Sequence, residues 1–341
     1  MKELDNLKRF SGHDNKHLII ALAAVKYQRE WSFIFPKAEY DLSRRMESEP
    51  PPPSWDTMKW AAEQLSGLMT ALNDIHNPPR LSVATEQRFG RHGDLKCDNI
   101  LCFRSTQSSN ETLVIADFGL SATHRAQSRS NIPNKTVPPV PGYRPPECDI
   151  RGGEISRAFD VWTMACLYLD FLTWLLGGPK LLLKFRQQRT TTYITGSRQD
   201  ILFEFLKQHE HDRYVVQVKP QVRQWIRELR GLPECSQMVQ DMLSIIESRM
   251  LVVLSEQRQR AQASELRIRF GNIYSSSCAK EEYCTKQGEI PKDVKVQDKP
   301  VVAELNDVAQ DLIDKHRISL GKYAGRVSKP LSSQQQQRAD L

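Results

Sequence analysis

The sequence has 341 residues, of which 39% are hydrophobic and 26% are charged. This composition is typical of a globular protein with a packed core, and its 16 glycines and 19 prolines exclude a collagen-like or wholly disordered chain. The net charge of +7 is a modest basic excess that permits nucleotide phosphates, nucleic acid or acidic lipid as partners without selecting among them.

The cysteines predict the compartment. Seven of them are scattered along the chain, with no C-x-x-C pair and no histidine at ligand spacing. The N-terminal run MKELDNLKRF is polar and does not read as a secretory signal. We therefore expect reduced thiols, no structural metal and an intracellular location in the cytoplasm or nucleus.

The N-terminal residues predict a short β-rich unit. Residues 2–9 indicate the end of a helix, and the runs Leu18–Val25 and Trp31–Phe35 predict two strands. The stretch Glu47–Pro53 contains four consecutive prolines, which cannot continue a helix or a central strand. A domain boundary is therefore expected near residue 50.

Helical patterns follow this boundary. Ser54 is a suitable N-cap for a helix over Trp55–His76, in which apolar residues recur at helical spacing. Beyond residue 160 helical patterns dominate. The apolar stretch Val161–Leu176 contains Asp170 and is shorter than the roughly 20 residues that span a membrane. It predicts a buried core helix.

The C-terminal residues have a weaker pattern. Ser, Lys, Gln and Asp become frequent, the sequence ends in SSQQQQRADL, and a largely disordered tail is predicted over residues 271–341. Within it Val301, Leu305, Val308 and Leu312 define a possible amphipathic helix that either docks on the core or stays solvated. We expect the solvated form.

The loop-rich segment between residues 77 and 160 carries the candidate chemistry. Asp94, Lys96 and Asn99 lie on one loop, and the apolar run Leu113–Ala116 leads into Asp117, which is followed by Phe and Gly. Phosphoryl transfer needs a base for the incoming hydroxyl, a cation near the migrating phosphate, and oxygen ligands for magnesium. These four residues are of those types.

At this point the sequence resembles the protein kinase family. The family's H-R-D-L-x-x-x-N catalytic loop is matched by HGDLKCDN, and its D-F-G motif is present. Three further landmarks follow in order: Tyr143–Glu147 for the A-P-E element, Asp160–Trp162 for the start of the central helix, and Arg260 for the arginine that pairs with the A-P-E glutamate. The sequence resembles in particular a group of fungal kinases that have a similar H-G-D loop.

The resemblance implies an α+β, two-lobe kinase-like fold. Residues 1–48 would be a partial β-rich N-lobe with the end of one helix, two strands and a hinge. Residues 49–270 would be a mainly helical C-lobe with the catalytic loop and the activation segment. Its implied cofactors are ATP and magnesium, and its implied partner is a protein substrate, with no nucleic acid and no membrane. The oligomeric state is left open.

The resemblance also implies residue roles. Asp94 would orient and deprotonate the substrate hydroxyl, and Lys96 would neutralise the transferred phosphate. Asn99 and Asp117 would hold magnesium. A lysine two residues after the aspartate is typical of kinases that act on serine and threonine.

The part of the family pattern that binds ATP is matched less completely than the catalytic loop. Phe35, Lys37 and Ala38 resemble the hinge that holds adenine, and Glu3 suits the helix glutamate that pairs with the phosphate-binding lysine. No Gly-rich loop and no V-A-I-K lysine are found in the sequence. An incomplete gene record of an active enzyme and a short protein without phosphotransfer both explain this. A protein without half of its N-lobe would leave apolar residues uncovered, which costs free energy. This favours the incomplete gene record.

Two departures concern regulation. Gly93 replaces the arginine of H-R-D, which in many kinases pairs with a phosphate on the activation loop, so control by such a phosphate is not expected. Val140 stands where the family often has a threonine that contacts the catalytic aspartate and lysine, so the substrate platform is expected to be altered.

Two other classes of function are compatible with parts of the sequence. A catalytically dead pseudokinase or scaffold would keep the loop residues without transferring phosphate. A nucleic-acid binder is suggested by the pI of about 9.0 and the basic segment Lys180–Arg189, but its cations alternate with leucines, which indicates a solvated helix face. Cys97 beside Lys96 could be a redox handle, although a lone cysteine is usually only a small side chain.

Overall fold

The structure is a computed structural model that describes residues 15–28, 30–78, 88–104, 110–117, 122–125, 132–133, 142–208, 213–291, 294 and 300–315. Its helices are α1 (Leu42–Arg45), α2 (Trp55–His76), α3 (Arg157–Arg189), α4 (Pro220–Arg230), α5 (Gln237–Ile245), α6 (Ala263–Ala279), α7 (Glu281–Thr285) and α8 (307–315). Its strands are β1 (Ala23–Tyr27), β2 (Glu30–Ile34), β3 (Tyr40–Asp41), β4 (Arg88–Arg91), β5 (Ile100–Arg104), β6 (Glu111–Ile115), β7 (Ala122–Arg125), β8 (Ile132–Pro133), β9 (Glu154–Ile155), β10 (Thr191–Thr192), β11 (Arg198–Gln199), β12 (Phe203–Lys207), β13 (Tyr214–Val218) and β14 (Val301–Ala303). The predicted α+β class is confirmed.

The N-terminal part differs from prediction in where its first strand begins. β1 and β2 pair in an antiparallel hairpin, but Leu18, at the start of the predicted strand, makes a parallel bridge to Ile115 at the end of β6. The amide of Ile19 donates to the carbonyl of Ile115 at 2.9 Å. Leu18 and Ile19 are buried in the main core, so burial holds them there rather than in the hairpin. The helix predicted over residues 2–9 lies outside the described residues.

Helix α2 begins and ends where the sequence predicts. The Ser54 hydroxyl accepts a hydrogen bond from the Thr57 amide at 3.1 Å, which caps the first turn. Leu65, Leu68 and Leu72 are fully buried, and the helix packs along α6. Beside it, β3, β5 and β6 form an antiparallel sheet.

Helix α3 is the predicted core helix, extended at its C-terminal end. By length and composition it could cross a membrane, but 94% of its apolar window is buried inside the protein. The chain kinks at Gly177 and Gly178, and Gly178 has a φ of 70°, which an L-residue rarely adopts. Pro179 then starts a second helical stretch that ends at Arg189.

The predicted boundary at residue 270 falls inside α6 and is corrected by the structure. Phe270 and Ile273 continue the buried face of this helix, and the indole N–H of Trp55 donates to the carbonyl of Ser277 at 2.8 Å. Cys284 of α7 is buried as well. These contacts with α2 extend the helical lobe beyond residue 280.

A second correction concerns residues 300–315, which we call the C-terminal strap. β14 pairs with β13 and completes a three-stranded sheet with β12. Leu305, Ala309 and Ile313 are buried in the main core, while Val308 and Leu312 are 50% and 49% exposed. Hence α8 is docked by one face, which replaces the predicted solvated helix.

Asn306 ties this strap to the segment that follows Glu147. Its amide donates to the carbonyl of Asp149, and its side chain donates to the carbonyl of Cys148, each at 2.8 Å. Its side-chain oxygen accepts from the amide of Ala309 at 2.9 Å and so caps α8. One buried side chain therefore serves both the helix and the docking contact.

Candidate active site

The candidate site is a loop between β4 and β5. Leu95 and Ile100 are fully buried and anchor it to the core. A short 3-10 turn, Cys97–Asn99, reverses the chain, and the carbonyl of Asn99 accepts from the amide of Ala116 at 2.9 Å. This backbone bond joins the loop to the end of β6, where Asp117 lies.

Asp94, Lys96 and Asn99 are brought together as the sequence predicts. The Lys96 ammonium lies 3.0 Å from Oδ2 of Asp94, and the side-chain amide of Asn99 donates to the same oxygen at 2.9 Å. The Asn99 amide also donates to the Asp94 carbonyl at 2.8 Å. Both side-chain contacts use Oδ2, which leaves Oδ1 of Asp94 to accept a proton.

Asp160 holds this loop from beneath. The carboxylate is fully buried at the start of α3, and it accepts from the amides of His92 and Gly93 at 2.8 and 2.9 Å. His76, the last residue of α2, contacts it at 2.9 Å through Nε2. Burial alone would raise the pKa of Asp160, but the hydrogen bond and charge of His76 and the donation from Gly93 outweigh it and lower that pKa.

His92 fixes the direction of the loop. Its Nε2 contacts the carbonyl of Ala116 at 3.0 Å, and its Nδ1 lies 3.3 Å from the amide of Asp94. Nε2 must therefore carry the proton and Nδ1 must accept, which describes the neutral imidazole. Burial lowers the pKa of His92, against the opposing charge of Asp160, and so favours the same neutral form.

Asp117 lies just past β6 with an exposed side chain and a φ of 62°. A positive φ is uncommon for a residue with a side chain and is often found at functional positions. The oxygens of Asp117 and Asn99 are hard ligands that suit magnesium. Since the Asn99 nitrogen is used by Asp94, its oxygen is the atom left to face a metal, so these residues fit the ion.

No cage of three or more His, Cys, Asp or Glu side chains able to hold a metal occurs in the part of the chain that the structure describes. A site with one carboxylate and one amide fits an ion that takes most of its ligands from substrate phosphates and water.

A second buried carboxylate, Asp170, connects the loop to the activation segment. Arg189 lies 2.5 Å from its Oδ1, and the hydroxyl of Tyr143 donates to Oδ2 at 2.9 Å. Burial would raise the pKa of Asp170, but Arg189 and Arg186 outweigh it and lower the pKa. The Tyr143 hydroxyl also lies 3.1 Å from the thiol of Cys97, so catalytic loop and activation segment share one polar cluster.

This cluster weakens two alternatives for residues in it. Burial raises the pKa of Cys97 to about 12, so the thiol is not poised as a redox nucleophile. Arg189 of the basic segment is 1% exposed and is used internally by Asp170.

The predicted pair of Glu147 and Arg260 is confirmed. Nη1 and Nη2 of Arg260 donate to Oε1 and Oε2 of Glu147 at 2.6 and 2.8 Å. Both residues are buried, and the two are 113 positions apart in the sequence. The end of the activation segment is thereby locked to the helical lobe.

The predicted adenine-site residues are not joined to the loop by a described contact. Phe35 is 37% exposed, and it lies with Lys37 and Ala38 on the connection between β2 and β3. β3 pairs with β5, which follows the catalytic loop, so this connection approaches the site through the sheet. Glu3 lies outside the described residues.

Sequence reasoning missed what Asp160 and Asp170 do. The sequence identified Asp160 only as the start of the central helix and Asp170 only as a charge within an apolar stretch. The signal was there, because a carboxylate inside an apolar helix must find partners when buried. Its partners lie far away in the sequence, which a linear pattern cannot show.

The chain is similar to known proteins over much of its length. The family model described as protein kinase domain matches residues 1–258. Among curated proteins, mitogen-activated protein kinase 13 of Arabidopsis thaliana is 29% identical over 153 residues, which are 44% of this chain and 38% of that protein. Cyclin-dependent kinase 14 of Callithrix jacchus is 24% identical over 168 residues, 49% of this chain and 35% of that protein.

A further relative from Arabidopsis thaliana, mitogen-activated protein kinase 11, is 31% identical over 135 residues, 39% of this chain and 33% of that protein. In these three alignments the chain spans between 33% and 38% of the relative's length.

Proposed function

The chain belongs to the protein kinase family, and we propose that it transfers the γ-phosphate of ATP to a serine or threonine of a protein substrate. The observation that carries this proposal is the arrangement of Asp94, Lys96 and Asn99 around one carboxylate oxygen, on a loop fixed from beneath by Asp160. Such positioning is most of what phosphoryl transfer requires from a protein.

Asp94 is the residue that receives the substrate proton. Its Oδ2 is bound by Lys96 and Asn99, so Oδ1 can align the hydroxyl and take its proton as the oxygen attacks phosphorus. The Lys96 ammonium sits beside the same carboxylate, where it stabilises the negative charge of the migrating phosphate.

Asn99 and Asp117 would hold magnesium through their side-chain oxygens. The ion neutralises the charge of the ATP phosphates when it is bound. The backbone bond between Asn99 and Ala116 keeps the two ligands next to each other, and Phe35, Lys37 and Ala38 would approach the adenine through the β2–β3 connection.

Serine and threonine are the favoured acceptors because Lys96 follows the catalytic aspartate by two residues. The mitogen-activated and cyclin-dependent kinases that the chain resembles support this choice. The free thiols of all described cysteines are compatible with the reducing interior of a cell, where we expect the enzyme to act.

The test is transfer of radiolabelled γ-phosphate from ATP to a panel of protein substrates, followed by identification of the modified amino acid. We expect phosphoserine or phosphothreonine with the unchanged protein and a loss of at least about 100-fold with Asp94→Asn. Asp98→Asn is the matched control, since Asp98 is an exposed carboxylate on the same loop.

Nucleotide should be supplied at millimolar concentration. The sequence has no Gly-rich loop or strand lysine of the family pattern, so we expect weak binding of MgATP. Equal phosphotransfer by the unchanged protein and Asp94→Asn would overturn the assignment of the base. A clear rise in melting temperature with MgATP, lost in Asp117→Ala and unaccompanied by phosphotransfer, would favour the scaffold alternative.

A further inference from the structure

A cavity of about 750 Å³ lies in the helical lobe, away from the catalytic loop. Its walls come from the end of α5, a single turn of π-helix at Ile246–Met250, the loop before α6, α6 itself, and residues 291 and 294. Three arginines line it: Arg249, Arg258 and Arg269.

The cavity is electropositive. Among the described residues that line it, three are arginines and one, Asp241, carries a carboxylate. The hydroxyl of Tyr283 donates to one oxygen of Asp241 at 2.6 Å, and the side-chain amide of Gln237 donates to the other at 2.8 Å. Asp241 is thus occupied by neutral donors, which leaves Arg249 and Arg269 to bind an external anion.

Arg249 is the arginine with most capacity to bind. Among the described residues its guanidinium makes no ion pair and no hydrogen bond, and its side chain is exposed on the π-helical turn. Within the described part of the chain Arg269 donates only through its Nε, to Glu265 at 2.8 Å, so its two terminal nitrogens can still donate. A guanidinium offers a planar pair of donors that matches an oxyanion.

The other residues that line the cavity suit an extended peptide that carries the bound anion. Ile245, Pro291 and Val294 supply a partly buried apolar wall. The Ser248 hydroxyl donates to the carbonyl of Ser244 at 2.6 Å, so its oxygen is left to accept an N–H. A free phosphate ion would use neither feature.

We propose that this cavity binds a phosphoserine- or phosphothreonine-containing peptide, with the phosphate held by Arg249 and Arg269. Recognition of phosphorylated segments by arginine clusters is a common solution because each phosphate oxygen accepts charge-assisted hydrogen bonds. The site is separate from the catalytic loop, and the inference does not depend on phosphotransfer by this chain.

The test is calorimetric titration of the full chain, without nucleotide, with a short peptide carrying phosphoserine between two leucines. The same peptide without phosphate and inorganic phosphate alone are the reference probes. We expect measurable binding of the phosphopeptide only, weakened about tenfold or more by Arg249→Gln, since hydrogen bonds to charged groups are strong. Arg249→Lys, which keeps the charge but not the fork, should show an intermediate loss.

Arg267→Gln is the matched control, because Arg267 is exposed on α6 and is not among the lining residues. It should leave phosphopeptide affinity unchanged. Equal binding by the unchanged protein and Arg249→Gln, an equal loss with Arg267→Gln, or no binding at millimolar peptide would overturn the proposal. Inorganic phosphate that binds as tightly as the phosphopeptide would overturn the peptide as the ligand.

Discussion

The β1–β2 hairpin and helix α3 are both rich in apolar side chains, yet they are stabilised in different ways. Before its kink at Gly177, α3 buries apolar side chains on all sides, as Trp162, Leu169 and Trp174 show at 0% exposure. In the hairpin Tyr27 is 74% exposed and Ile34 is 50% exposed. The two strands are therefore held together mainly by the hydrogen bonds between their backbones.

This difference teaches where the stability of the protein resides. Burial of apolar surface contributes about 25 cal/mol per Å², whereas a lone two-stranded hairpin is marginal in water. The helical lobe should therefore respond strongly to substitution, and the hairpin weakly.

The largest effect is expected at the buried ion pair of the helical lobe. Glu147→Ala should lower the free energy of unfolding by about 3–5 kcal/mol, because Arg260 is then left charged and buried without a partner. Chemical denaturation measures this loss. Glu154→Ala, at an exposed glutamate nearby, should change stability by less than about 0.5 kcal/mol.

The double variant sharpens this result. Arg260 also donates to the carbonyls of Val252 and Ala158, so Arg260→Ala should cost at least as much as Glu147→Ala. Together the two substitutions should cost less than the sum of the single losses. Additive losses would contradict a coupled pair.

The same substitution in the two regions compares them directly. Leu72→Ala, at a fully buried position in α2, should cost about 2–5 kcal/mol, because it removes transferred surface and leaves a cavity. Leu22→Ala, at a residue 66% exposed beside β1, should cost less than about 0.5 kcal/mol. Equal losses in denaturation experiments would show that the hairpin's apolar face is covered in solution.

The C-terminal strap should give an intermediate effect. Asn306→Ala removes the cap of α8 and leaves the partly buried carbonyl of Cys148 without its donor, at a cost of about 1–3 kcal/mol. Hydrogen exchange should also accelerate at Arg151, whose amide donates to Glu304 of the strap. Gln310→Ala is a control on the same helix, since the side chain of Gln310 bonds only to Asp314 among the described residues. Unchanged exchange at Arg151 would mean that the strap is held without Asn306.

The smallest effect concerns pH. Burial lowers the pKa of His17 and of His92, so the unfolded chain binds more protons than the folded one once the pH falls below about 6.5. Stability from these groups is therefore present above that pH and is lost as the pH falls, at up to about 1.4 kcal/mol per pH unit for each histidine.

His17→Asn tests this prediction. The asparagine keeps an N–H donor for the carbonyl of Leu113, which Nδ1 of His17 contacts at 2.7 Å, but it cannot take up a proton. Unfolding free energies measured between about pH 6.8 and pH 5.5 should then fall less steeply than in the unchanged protein. If the unfolding free energy falls as steeply with pH as in the unchanged protein, His17 does not contribute to the pH dependence of stability.

The parts of the structure that the sequence predicts are those fixed by local chemistry. Ser54 and the apolar spacing after it define α2, and the grouping of Asp94, Lys96 and Asn99 on one loop places three side chains within reach of each other. The Glu147–Arg260 pair was predictable only through the family resemblance.

The missed parts depend on distant contacts. Val301, Leu305, Val308 and Leu312 form only a weak amphipathic pattern in the sequence, and the strap docks because β13 offers an edge and Asp149 offers a carbonyl. The supporting role of Asp160 likewise needs His92, which is 68 positions away. Neither partner can be identified from spacing alone.

The strap also sets the order in which the polypeptide can reach its final state. Cys148 and Asn306 are 158 positions apart, so at the usual pace of translation the donor emerges roughly 8–30 s after the carbonyl that it binds. During that interval β13 lacks the strand β14 that pairs with its edge, and this edge is open to chaperones or to misassociation. The contacts between the strap and the segment after Glu147 can thus form only after Asn306 has been synthesised.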